Sequence, residues 1–302
     1  MNKRIINHFY GNVIHQAGST INGDLVMGNI TIGNKVVING RANRYGFNMI
    51  QASDNMQTME IEPKGQYYRI ENDSIADIEY YEGNEECITL TVPENLTKYF
   101  KVEQTATTLR VSLDSNVSFS CGYDNRPHVL VKHKGLKELR NSGSSNVKLH
   151  GNMALENIYT SGSGDIDAFD TTIESQDFCC QISGSGDIKS QTIHSNKIEI
   201  NISGSGDVRI EDIAAQGIAV SIQGSGDVSV NGKTKLVKFN IAGSGDISAS
   251  GLEAEIGSAC IMGAGDISCN VKQLTKSIMG AGDIRNCNQS ASFDVDDLWD
   301  KL

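Results

Sequence analysis

Proline and aromatic side chains are scarce in this chain: 3 Pro in 302 residues, and aromatics at 6% with a single Trp. So few rings argue against a large aromatic-lined pocket of the kind many small-molecule enzymes carry. Positive charge is short too, with 26 Lys and Arg against 37 Asp and Glu, a formal net charge of -11. A nucleic-acid-binding face needs a basic surplus, so no nucleic-acid partner is expected. After Lys3 and Arg4 no apolar run has the length of a signal-peptide core, and none reaches the ~18 residues of a spanning helix. No membrane insertion is expected, and the chain is read as cytoplasmic as synthesised, with a surface or virion location left open. The seven cysteines, an odd number with no C-x-x-C, suit a reducing compartment where Cys packs as a small hydrophobe. G-x-S-x-G, H-E-x-x-H and Walker A sequences are missing. His128 and His133, five apart in a predicted strand, face opposite sides and do not share a metal. No catalytic residues and no cofactor are expected.

Glycine, by contrast, is abundant at 31 residues, and it is periodic. Ser161-Gly162-Ser163-Gly164-Asp165-Ile166 returns at 183 to 188, as SGSGDV at 203 to 208, and in altered form ending at Asp227, Asp246, Asp266 and Asp283. The seven aspartates lie 22, 20, 20, 19, 20 and 17 residues apart. Ser142-Gly143-Ser144-Ser145-Asn146-Val147 is a degenerate eighth copy with Asn in the Asp place. A period of this length marks a solenoid, in which one unit repeats because it cannot bury its apolar face alone.

Registers are read from the Asp. One residue after it stand Ile166, Ile188, Val208, Val228, Ile247, Ile267 and Ile284, and three after it Ala168, Ser190, Ile210, Val230, Ala249 and Cys269. Before it, Ile198, Ile200 and Ile202 in one coil match Ile218, Val220 and Ile222 in the next, and Val237, Phe239 and Ile241 in the third. Strict period two means strand with an inward apolar face. A third side falls around Ile173, Ile193, Ile213 or Leu252. The expectation is an all-β protein, a right-handed single-stranded parallel β-helix of about eight coils at ~4.8 Å per coil.

Outside the repeats the pattern changes. Residues 1–47 are rich in Asn and Gly around short apolar runs and read as a small β-module or an oligomerisation segment. Residues 48–60 are polar and read as a linker. Residues 61–140 hold longer alternating strands, such as Cys87 to Val92 and His128 to Lys132, expected to form an antiparallel region capping the solenoid of residues 141–290. Asn286, at an inward position of the last coil, fits a terminal cap. In residues 291–302, Phe293, Leu298, Trp299 and Leu302 form an apolar set among four aspartates, able to dock on the open end or in a partner's groove.

Corner glycines permit positive φ and let neighbouring backbones approach. Asp165, Asp187, Asp207, Asp227, Asp246, Asp266 and Asp283 then act as a structural turn ladder that accepts hydrogen bonds from backbone N–H groups or stacked Ser hydroxyls. Two other readings remain: carboxylates one coil apart could hold calcium, or the Ser/Gly/Asp ladder could form a strip that binds a glycan or protein. Lys189 and Arg209 face out near the ladder and read as solvated charges.

With strands ending at Gly135-Leu136-Lys137-Glu138-Leu139 and leading into seven GSGD or GAGD coils, residues 66–290 resemble the auto-transporter adhesin head domain called the GIN domain. That resemblance implies a β-helical, mostly bacterial domain, often exported, with adhesion or surface binding and no catalytic residues. The N-terminal segment is also similar to the short-turn repeats of bactofilin-type polymer-forming proteins. Function is expected to be non-enzymatic: a binding or structural scaffold, bacterial or phage-encoded, using protein or glycan contacts and self-association as a homo-oligomer. The alternative is a cell-surface adhesin, and behind it a β-helix carbohydrate-active enzyme.

Overall fold

The computed structural model describes residues 31–32, 35–36, 49–114, 117–122 and 124–288. The chain divides into two units, residues 1–51 with 115–120, and residues 52–114 with 121–302. In the first, Thr31–Ile32 pairs antiparallel with Lys35–Val36, and Met49–Gln51 runs parallel to Ser118–Ser120. The rest of the expected self-association segment lies outside the described residues.

In the second unit the chain winds into a β-solenoid of about seven turns. Eight corners, at Asn146 and the seven aspartates, bound those turns. Each coil lies parallel to its neighbours: Ile188 faces Ile166 and Val208, and Ile202 faces Ile182 and Ile222. Inward columns are aliphatic and sealed. Ile166, Ile188, Val208, Val228, Ile247 and Ile267 are buried, as are Ile182, Ile202, Ile222, Ile241 and Ile261. Each such side chain contributes on the order of 1.5–3 kcal/mol by leaving water. Volume is balanced from coil to coil, since Phe239 lies between Val220 and Ala259, and the small Ala makes room for the ring.

Uneven periods are absorbed on the third side. The 22-residue coil bulges between Ala168 and Thr172. The 19-residue coil slips between Ile210 and Ile213, where Gly232 takes φ 121° opposite Ile213. A Cβ there would stand 2.2 Å from the Ile213 carbonyl oxygen, so no other residue fits. The 17-residue coil drops three residues between Ala249 and Glu253.

Upstream strands pair in both senses. Antiparallel pairs join Met56–Ile61 to Cys87–Pro93, Cys87–Pro93 to His128–His133, and Phe100–Gln104 to Thr108–Leu113. Met56–Ile61 overlaps residues 48–60, the stretch read as a linker, and extends one residue past it; neither of its faces is fully buried, so no apolar period marks it. Four further pairs are parallel. Arg69–Asp73 lies between Thr108–Leu113 and Glu138–Asn141, and Asp77–Glu82 between His128–His133 and Val147–Met153. The parallel stack therefore continues upstream of residue 141, out of sequence order. His128 is exposed, whereas His133 is buried with Nε2 2.7 Å from the Tyr67 carbonyl oxygen and Nδ1 2.7 Å from Glu86.

Candidate functional site: the corner strip

Two glycines stack at every GSGD or GAGD corner because the backbones nearly touch. A Cβ on Gly204 would lie 1.9 Å from the Gly184 carbonyl oxygen, and one on Gly206 2.1 Å from that of Gly186. None of these glycines has positive φ. Close approach alone demands them, which corrects the expectation that left-handed geometry contributes.

The aspartates are linked by one repeated bond. The backbone N–H of Asp187 donates to Asp165 Oδ1 at 2.9 Å, Asp207 to Asp187 at 2.9 Å, and Asp227 to Asp207 at 2.8 Å. The series runs on through Asp246, Asp266 and Asp283 at 2.7 to 2.8 Å. Asn146 Oδ1 accepts from Asp165 N–H at 3.0 Å, so an amide serves as well as a carboxylate. Among the described residues no serine hydroxyl takes part in the ladder. One member escapes the sequence pattern: Asn146 N–H donates to Asp77 Oδ1 at 2.7 Å, and Ile78 N–H to the Asn146 carbonyl at 2.8 Å. Ala76-Asp77-Ile78 is a worn copy of Gly-Asp-Ile, 69 residues upstream of Asn146 and hidden by the intervening strands.

The corner at 142–147 departs from Gly-Asp for a packing reason. Ser145, in place of the second glycine, is buried and accepts from Asn72 Nδ2 at 2.7 Å while donating to Asn141 Oδ1 at 3.1 Å. Asn72 and Asn141 face inward in a column that passes through Thr160 to Ile182 and Ile202, and with Ser145 they form a buried hydrogen-bonded network.

Each Asp leaves its other carboxylate oxygen outward. Among the described residues only Asp283 Oδ2 holds a protein partner, Arg285 Nε at 2.9 Å. No three His, Cys, Asp or Glu side chains converge on one point among the described residues, so the carboxylates form a line and not the oxygen cage that calcium takes. Arg209 is paired with Glu211 at 2.5 Å.

Beside the ladder run two polar lanes. Tyr159, Gln181, Asn201, Ser221, Asn240, Cys260 and Ser277 stand opposite one another in successive coils. Next to them Ser142, Ser161, Ser183 and Ser203 precede the corners and give way to Gln223, Ala242, Met262 and Met279. Both lanes are uncharged through the solenoid, and the second grows apolar toward its C-terminal end.

At their N-terminal origin the lanes open into a groove of about 270 Å³ lined by Glu71, Asp73, Arg140, Tyr159, Gln181 and Ser183 among others. The Arg140 guanidinium lies 5.0 Å over the Tyr159 ring, and its Nε donates to Glu138 Oε1 at 2.5 Å. Burial pushes the Glu138 carboxyl up, but hydrogen bonds from Arg140 and Arg69 outweigh that and hold it below its ordinary value of 4.5. Glu138 therefore stays ionised at neutral pH, and its stabilising effect fades only as acid takes the pH down through its lowered value. None of these groove residues stands out in the sequence, because they meet only when out-of-order strands stack. The tail candidates Phe293, Leu298, Trp299 and Leu302 lie outside the described residues.

All seven cysteines are free. Cys269 packs inward, and burial pushes its thiol up to about 11. No helix among the described residues is long and apolar enough to cross a membrane.

A model of the family described as "Putative auto-transporter adhesin, head GIN domain" matches residues 66–192 and 180–290. No curated protein matches the chain. Among solved structures, a "putative adhesin" from Parabacteroides distasonis superposes with a TM-score of 0.66 at 20% identity, covering 79% of this chain and 100% of its own. Another from Parabacteroides merdae gives 0.65 at 20% identity, over 80% and 99%. A "Putative lipid binding protein" from Parabacteroides distasonis gives 0.62 at 24% identity, over 80% and 100%. At these identities the likeness is one of fold.

Proposed function

Because the chain belongs to the auto-transporter adhesin head GIN domain family, matched from residue 66 to 290, we propose that it is a non-enzymatic surface-binding module whose corner strip holds an extended glycan. The observation that carries this reading is the pair of uncharged lanes. Amides and hydroxyls at Gln181, Asn201, Ser221 and Asn240 repeat once per coil, at ~4.8 Å per step, close to the length of one pyranose along an extended chain. Such groups exchange water for sugar hydroxyls with little loss. The parallel line of carboxylates disfavours a polyanion, and the rigid ladder keeps the lanes in register before the ligand arrives, which lowers the entropic cost of binding.

Retention on insoluble neutral polysaccharides tests the proposal. The intact chain is expected to be retained, and the double variant Asn201→Ala/Asn240→Ala to be released with its melting temperature unchanged. A protein that ignores every polysaccharide offered, or a double variant that binds as well as the parent, ends the reading. Display at the surface is part of the proposal, and protease treatment of intact cells checks it.

A further inference from the structure

We infer that the groove at the head of the lanes is a subsite for one neutral pyranose, the anchoring point of the glycan that the lanes extend; this rests on the glycan reading above. Its size comes first. An open groove of about 270 Å³ has room for a sugar ring. Its charge comes second. Glu71, Asp73 and Arg140 line the groove, and each is paired with a charge just outside it, Arg69, Arg110 and Glu138. The contacts are Arg69 to Glu138 at 2.8 Å, Arg140 to Glu138 at 2.5 Å, Arg110 to Asp73 at 2.5 Å and Arg69 to Glu71 at 3.9 Å. A site balanced in this way gains nothing from a charged ligand, because either sign meets its like as often as its opposite.

Its unspent hydrogen bonds come third. Both terminal nitrogens of Arg140, the Gln181 amide and the Ser183 hydroxyl hold no protein partner among the described residues, and Glu71 has only the long contact to Arg69. Donors of Arg140, the acceptor Glu71 and the two-way groups of Gln181 and Ser183 thus share one rim, and vicinal hydroxyls can use both kinds. A lipid chain in the same place would strip water from these groups and leave them unpaired, at about 1–3 kcal/mol each. The Tyr159 ring, half-buried and fixed by its hydroxyl bond to Asn157 at 3.2 Å and by the guanidinium above it, adds an amphipathic wall against which a pyranose edge can lie.

Saturation-transfer NMR and calorimetry on the full chain separate this inference from the reading it rests on. The probes are neutral hexoses, their hexasaccharides, and hexagalacturonate as the charged control. The expectation is binding of a neutral hexose and tighter binding of its hexasaccharide, with hexagalacturonate at least tenfold weaker. Glu71→Gln and Arg140→Lys, neither of which lies in a lane, each weaken both neutral probes about tenfold with the melting temperature unchanged. Asn201→Ala/Asn240→Ala weakens the hexasaccharide alone. If the hexasaccharide depends on the lane pair and not on the groove variants, the subsite is wrong and the strip stands. If the groove variants abolish binding and the lane pair has no effect, the subsite stands without the strip. Preference for hexagalacturonate, or silence from every neutral probe, overturns the inference.

Discussion

Asp207 is a turn residue whose carboxylate does its visible work through one oxygen. Oδ1 accepts the N–H of Asp227 at 2.8 Å, and Asp207's own N–H donates to Asp187 at 2.9 Å. If the ladder is held by that acceptor, charge is dispensable, as Asn146 indicates in the same place. Asp207→Asn is therefore expected to unfold within about 0.5 kcal/mol of the parent, whereas Asp207→Ala loses about 1–2 kcal/mol, since a backbone donor at the corner goes unpaired. Urea titration measures both. Equal losses for the two variants would mean that the carboxylate's charge matters, and a cation on the outward oxygens would then need to be sought. The glycines allow no such substitution. Against Gly206 a methyl group meets a carbonyl oxygen at 2.1 Å, a distance that only separation of two coils relieves.

The last coil shows how a solenoid is stopped. In the inward column Cys180, Ile200, Val220, Phe239 and Ala259, the next occupant is Lys276, whose stem turns across the end and whose Nζ donates to the Ile284 carbonyl at 2.8 Å. Asn286 closes the neighbouring column, its amide accepting from Val271 N–H at 2.9 Å and donating to the Val271 carbonyl at 2.7 Å. Replacing both with apolar residues, Lys276→Leu/Asn286→Val, removes the polar stop from an open strand edge. Light scattering is expected to show dimers or larger species at micromolar protein, and a variant that stays as dispersed as the parent would show that the edge is guarded by something else. Asn286 was legible in the sequence because its distance from Asp283 placed it inward. Lys276 was legible by the same count, since it stands seven residues before Asp283 as Ile200 does before Asp207. What the sequence hides lies upstream. Coil, corner and inward columns follow from an unbroken period, whereas the ladder's Asp77 and the groove around Arg140 depend on strands that stack out of chain order, and no spacing in the sequence records that.

At the scale of the whole solenoid each coil touches only the one before and the one after, so the stack behaves as a one-dimensional array. Removing residues 188–207, one period of 20, joins Asp187 to Val208 and sets two complete coils against each other. Cys180 then meets Val220, and Ile182 meets Ile222, pairings of the kind the inward columns already hold. The shortened chain is expected to keep a β-type circular dichroism spectrum and a cooperative transition, with a denaturant m-value reduced in proportion to the surface removed. Removing only 188–197 joins Asp187 to Ile198, places a side where a corner must be, and moves non-glycine residues into the two columns that admit no Cβ; that chain should not fold. The full-period deletion also takes Asn201 out and shortens the lanes by one step while leaving the groove whole. A hexasaccharide is therefore expected to bind it more weakly than the parent and a single neutral hexose equally well, because a ligand spread along a lattice loses contacts with the lattice's length and a ligand held at its head does not.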